Sequence, residues 1–135
     1  MREPATHLHI DRRFCGSPRL LEEGRAEVRM TTIEAMAVDD RGLVHGGFVF
    51  GLADYAAMLA VNDPNVVLGG ADVRFSAPVR VGDEVLATAT MTSAVGRSRK
   101  VEVTVDRDEE TVMKGVFTCF VLDHHVLGGD DDARR

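Results

Sequence analysis

Between Gly46 and Asn62 the chain runs Gly-Gly-Phe-Val-Phe-Gly-Leu-Ala-Asp-Tyr-Ala-Ala-Met-Leu-Ala-Val-Asn, and Asp54 is the only charged side chain in it. The spacing predicts one helix that is apolar on every face, opened by Gly46-Gly47 and stopped by Asn62-Asp63-Pro64. A helix without a polar stripe must be buried all round, either in a protein core or in a membrane. Spanning a bilayer takes roughly 20 apolar residues, and this run is shorter, so it predicts a core helix. A carboxylate in such a place is costly to ionise unless it is paired, wetted by a cleft or retained for chemistry.

The rest of the chain supplies what wraps this helix. Residues 24–33 alternate apolar and polar from Ala26 to Met30, as a half-buried strand does. Asp39-Asp40-Arg41-Gly42 is a turn cluster leading to the helix. After it the pattern is β throughout, with strands expected at 66–76, 84–94, 100–106 and 111–122. The turns between them fall at 79–83, at Gly96-Arg97-Ser98 and at 107–110. Residues 6–15 read as a short helix ended by Gly16-Ser17-Pro18, within an N-terminal extension of residues 1–20. The expectation is therefore an α+β domain over residues 1–127, with a disordered acidic tail at 128–135. A flat sheet cannot cover such a helix on all sides. A strongly curved antiparallel sheet can, with a second subunit over the remainder, and the tight connections favour antiparallel neighbours.

Composition narrows the function classes. With 135 residues the chain is long enough for one real core, and its formal net charge of -6 argues against a nucleic-acid surface. The first twenty residues carry Arg2, Glu3, Asp11, Arg12 and Arg13 and no apolar stretch, so no secretory signal is expected. Cys15 and Cys119 form no metal or redox pair and suit a reducing cytoplasm. His124-His125 lacks further ligands at recognisable spacing, so no metal is expected.

His45-Gly46-Gly47 opening the helix, with Asp54 nine residues after His45, resembles the hotdog-fold acyl-CoA thioesterases of the phenylacetate-pathway type. The stretches from Arg74 to Asp83 and Gly96-Arg97-Ser98 resemble that family's strand-turn-strand spacing, and the likeness extends over about residues 22–122. The resemblance implies a hotdog fold, an antiparallel sheet curved around one long helix. It also implies a homodimer or tetramer whose sites are shared between subunits, and hydrolysis of acyl-CoA with no cofactor beyond the coenzyme A of the substrate.

In that family Asp54 would be the general base or nucleophile, and Gly46 the backbone donor that polarises the thioester carbonyl. A helix N-terminus suits the second task, because its free N–H groups and positive dipole end can hold a developing oxyanion. His45 is a candidate for orienting substrate or holding the loop. The chain departs from the family at Asp39, six residues before His45, where many members carry Asn. A second branch of the family places its acid in this loop, which makes Asp39 and Asp40 rival catalytic acids and Glu34 a weaker one. For the phosphates of coenzyme A the densest basic run is Arg97, Arg99 and Lys100, with Arg74 and Arg80 in the earlier turn region. The competing function, from a different class, is an acyl-CoA-binding module that senses its ligand without hydrolysing it.

Overall fold

The computed structural model describes residues 1–128; the tail from 129 onwards, where disorder was expected, lies outside the described residues. The elements are α1 (Arg12–Cys15), β1 (Ser17–Glu22), β2 (Arg25–Thr31), α2 (Gly46–Val61), β3 (Val66–Phe75), β4 (Glu84–Val95), β5 (Ser98–Arg107) and β6 (Glu110–Val121). The six strands form one antiparallel sheet in the order β1-β2-β4-β5-β6-β3.

Period-two burial builds the concave face of this sheet. Ala26, Val28 and Met30 of β2, Val85, Ala87 and Ala89 of β4, and Val101, Val103 and Val105 of β5 are all buried. Their small and β-branched side chains let the sheet close on α2, which touches every strand. On α2 the buried residues include Leu52, Ala53, Ala56, Met58, Leu59 and Ala60. Register irregularities at Pro18/Leu20, Leu68/Gly70, Met91/Ser93 and Val105/Asp106 add local bends to the strands.

Two expectations are corrected. The helix expected over 6–15 shrinks to the single turn of α1, and Ser17–Glu22 is a sixth strand that begins inside the expected extension. Pro18 hid it: proline reads as a stop, yet β1 lies at the edge of the sheet, where a missing N–H costs no ladder bond. Gly16 makes the corner between the two elements at φ 90°, and a Cβ there would lie 2.8 Å from both Arg29 O and Leu52 Cδ1.

One chain alone leaves part of the central helix uncovered, the remainder for which a second cover was expected. Gly47, Phe50, Gly51 and Asp54, spaced i, i+3, i+4 and i+7, are not fully buried, so one stripe of α2 stays partly open within the chain. A Cβ on Gly51 would meet nothing within 4 Å. At the far end Asn62 terminates α2 in the left-handed region (φ 52°) and returns its N–H to Met58 O. Its side-chain amide accepts from Ala5 N at 2.7 Å and donates to Glu3 O at 3.1 Å, clasping the start of the chain to the helix end.

Candidate active site

Asp54 sits at the base of the open stripe. Its Oδ1 is out of reach of solvent and has no hydrogen-bond partner among the described residues. Burial raises the carboxyl pKa to about 6, since a charge leaving water for an apolar surround is disfavoured. Both cysteines feel this charge. Burial, and then Asp54, push the Cys119 thiol up to about 11, and burial followed by Asp54 and Asp11 raises Cys15. Neither thiol is activated as a nucleophile, because the thiolate is the reactive form.

Gly46 and Gly47 begin α2, and their N–H groups have no acceptor among the described residues. Both lack a Cβ, which leaves the helix start open to a ligand, while the next amide, Phe48 N, donates to His45 O at 3.0 Å. His45 is the residue before the first turn; its side chain makes no capping bond, and its backbone N–H donates to Met36 O at 2.9 Å. The ring lies edge-on to Phe48 at 6.1 Å, and a Cβ on Gly47 would come within 2.8 Å of His45 Nε2. The imidazole thus borders the helix start.

Asp39 is occupied otherwise. Its Oδ1 accepts from Arg41 N at 2.9 Å and Leu43 N at 3.2 Å, which ties the turn that Gly42 completes. Asp40 is exposed beside it, and Glu34 is exposed in a tight helical turn at Glu34–Met36. Arg80 lines a shallow concavity with Asp39, Arg41, Leu43 and Pro78, and pairs with Leu43 just before the start of α2.

The basic run lies elsewhere. The chain turns at Gly96-Arg97 near Val121, whose N–H donates to Arg97 O, and Val121 pairs with Val66 beyond the other end of α2. Arg97 pairs with Asp123, Arg99 Nη1 donates to Gly96 O and Ser98 O, and Lys100 Nζ donates to Thr118 Oγ1 at 2.8 Å. Arg74 lines a third region, on the outer face of the sheet beside Asp72, Glu102 and Lys114. Within one chain Arg80 and the run from Arg97 to Lys100 therefore do not converge.

Three neighbours of the site were not legible in the sequence. Cys119 lies near Asp54, Phe117 stacks at 5.4 Å against Phe50, and Phe75 stands over Gly46. Phe117 and Cys119 share the helix-facing side of β6 by their period of two, but only the strand order puts that side against the stripe. Among the described residues no group of three or more His, Cys, Asp or Glu side chains could hold a metal ion. Nor is any helix among them long and apolar enough to cross a membrane.

The thioesterase superfamily model matches residues 41–114, from the turn before α2 into β6. A methylthioribose-1-phosphate isomerase from Aquifex aeolicus is 50% identical over 119 residues, 87% of this chain but 26% of that protein. The transcription factor FapR from Shouchella clausii is 32% identical over 79 residues, 58% of this chain and 41% of that protein. The chain thus spans less than half the length of these curated relatives. Among solved structures, an uncharacterised protein from Pyrococcus horikoshii is 55% identical with a TM-score of 0.93, covering 94% of this chain and 98% of that one. A mutant of the phenylacetic acid degradation protein PaaI from Thermus thermophilus is 27% identical with a TM-score of 0.74, covering 81% of this chain and 95% of its own. With more than half of its sequence matched and one curved antiparallel sheet around one long helix, the chain belongs to the thioesterase superfamily and has the hotdog fold.

Proposed function

We propose that the protein hydrolyses an acyl-CoA thioester to the free acid and coenzyme A, in the cytoplasm, with no metal or prosthetic group. The observation that carries this reading is Asp54, a carboxylate with an unpartnered oxygen and a pKa raised to about 6. A group poised near neutral pH can take a proton from water and return it within one turnover. The thioester carbonyl would lie at the N–H groups of Gly46 and Gly47, with His45 bordering it. Water adds to the carbonyl carbon as Asp54 takes its proton, and the N–H groups hold the resulting oxyanion. Collapse of that intermediate expels the thiolate of coenzyme A, which recovers the proton.

One chain does not bring these groups together. Asp54 lies eight residues, or about 12 Å of helix, beyond Gly46. A working site then takes Asp54 from one subunit and Gly46 from another, in a homodimer or a tetramer built from dimers. The edge strand β3 has a free ladder side through which a second copy could add. In such an assembly Arg97, Arg99, Lys100 and Arg80 supply positive charge for the phosphates of coenzyme A.

The similarity to a transcription factor favours a second reading, in which the acyl-CoA is bound and sensed without hydrolysis. A panel of acyl-CoA substrates with free-thiol detection, run beside calorimetric binding, separates the two. Thiol release that Asp54→Ala abolishes supports the enzyme. Tight binding with no thiol release overturns it in favour of the sensor. Charge reversal at Arg97 and Arg99 should weaken binding in a salt-dependent way, and unchanged affinity removes them from the coenzyme site.

A further inference from the structure

The open side of Gly46 meets an aromatic ring. A methyl group on Gly46 would lie 3.6 Å from Cε1 of Phe75, the last residue of the edge strand. Phe75 pairs with the buried Met113 and shares its face of β3 with Ala71 and Val73, the face turned toward α2. Phe is among the residue types most often buried, yet within one chain Phe75 is 52% exposed. One turn along α2 from Gly46 stands Phe50, half-buried and stacked on Phe117. The charged residues of the same strand, Asp72 and Arg74, belong to the opposite face of the sheet. The free N–H groups therefore open beneath an aromatic wall with no charged side chain of β3 beside it.

We propose that Phe75 is a specificity-determining residue, which together with Phe50 selects acyl groups carrying an aliphatic or aryl tail and rejects carboxylated ones. This rests on the acyl-CoA reading above. A thioester whose carbonyl oxygen meets the Gly46 N–H brings its acyl substituent against these rings. An apolar tail gains by covering them, because the exposed face of Phe75 leaves water. A carboxylate in the same place loses its hydration against the electron-rich face of a ring and finds no positively charged side chain on that face of β3 in return. The amide-rich arm and phosphates of coenzyme A gain little from such a wall, so the acyl end is the one assigned to it.

The test measures binding, so that it does not depend on turnover. Oxoalkyl-CoA thioethers, which keep the carbonyl but cannot be hydrolysed, would be prepared with octyl, phenylalkyl, methyl and carboxyalkyl tails. Their affinities for the wild-type protein and for Phe75→Ala and Phe75→Leu would be measured by calorimetry, with the oligomeric mass recorded by light scattering. The wild type should prefer the apolar tails. Phe75→Ala should lower their affinity by about tenfold or more, change the methyl compound little, and narrow the gap to the carboxylated one. Phe75→Leu, still apolar, should recover much of the loss for the octyl tail. Equal loss for every tail, a change of mass, no effect at all, or no binding by the wild type would each overturn the proposal. Preference for apolar tails in a protein that releases no thiol from acyl-CoA would instead overturn hydrolysis and leave the role of Phe75 standing.

Discussion

Asp54 and Gly46 lie two turns apart on α2, about 12 Å along one axis, so the two groups that the proposed hydrolysis uses cannot meet at one carbonyl within a chain. The two groups lie toward the same open stripe of the helix but are separated along it. The carboxylate has a free oxygen and the helix start has free N–H groups.

The raised pKa of Asp54 carries a sign that can be measured twice. Ionisation is disfavoured in the folded state, so Asp54 imposes no penalty below its unfolded pKa of 3.8 and a full one above about 6. The stability of the wild type relative to Asp54→Asn should therefore fall across that window, by at most about 3 kcal/mol. Denaturant melts of both proteins near pH 5 and pH 8 should show about half of that fall, and a flat difference would refute it. If Asp54 is the base, kcat/KM should fall about tenfold per pH unit below about 6, and Asp54→Asn should lose about a hundredfold or more.

Gly46→Ala separates folding from chemistry. The new methyl would sit at an ordinary contact distance of 3.6 Å from Phe75, in a helix that favours alanine. Thermal stability should hold or rise by up to about 1 kcal/mol. Turnover should nonetheless drop by about tenfold, because the methyl narrows the approach to the N–H it carries. An unchanged kcat would move the carbonyl site elsewhere.

Asp39 is a sharp comparison with Asp54. Its oxygen already accepts from Arg41 N and Leu43 N, and Asn offers the same acceptor without the charge. Asp39→Asn should retain turnover within about twofold, whereas Asp39→Ala should cost about 1 kcal/mol of stability. Loss of turnover in a normally stable Asp39→Asn would make the loop acid the catalytic one.

Asn62 can be dissected with two variants. Asn62→Gly keeps the left-handed turn at φ 52° and loses only the clasp on Glu3 and Ala5. Asn62→Ala loses both, and should be the less stable of the two by about 1 kcal/mol in denaturant melts.

What the sequence made legible follows from the range over which each signal acts. The helix from Gly46 and the strands after it are written in local periodicity, and all formed within a residue or two of their expected bounds. Pro18 concealed β1, because a breaker has different meanings in the middle and at the edge of a sheet. Only the strand order tells which applies. The lone charge of Asp54 was visible, but its thiol neighbour on β6 was not, since 65 positions separate Asp54 from Cys119. The basic residues show the same limit from the other side. Arg80 and Arg97 look close in the sequence, and the fold carries them to different ends of α2.

The place of β3 in the sheet also governs when the site can form during synthesis. β3 follows α2 directly, yet its ladder partner is β6, the last strand, whose pairs run from Val66 with Val121 to Phe75 with Met113. A nascent chain can finish α2 and the hairpin of β4 and β5 while β3 still has nothing to bond. Phe75 can pair with Met113 only once β6 has been made. Such late, long-range closure is slow and leaves an apolar edge waiting. Chains cut short of β6 should therefore be captured by chaperones rather than accumulate as partly active protein.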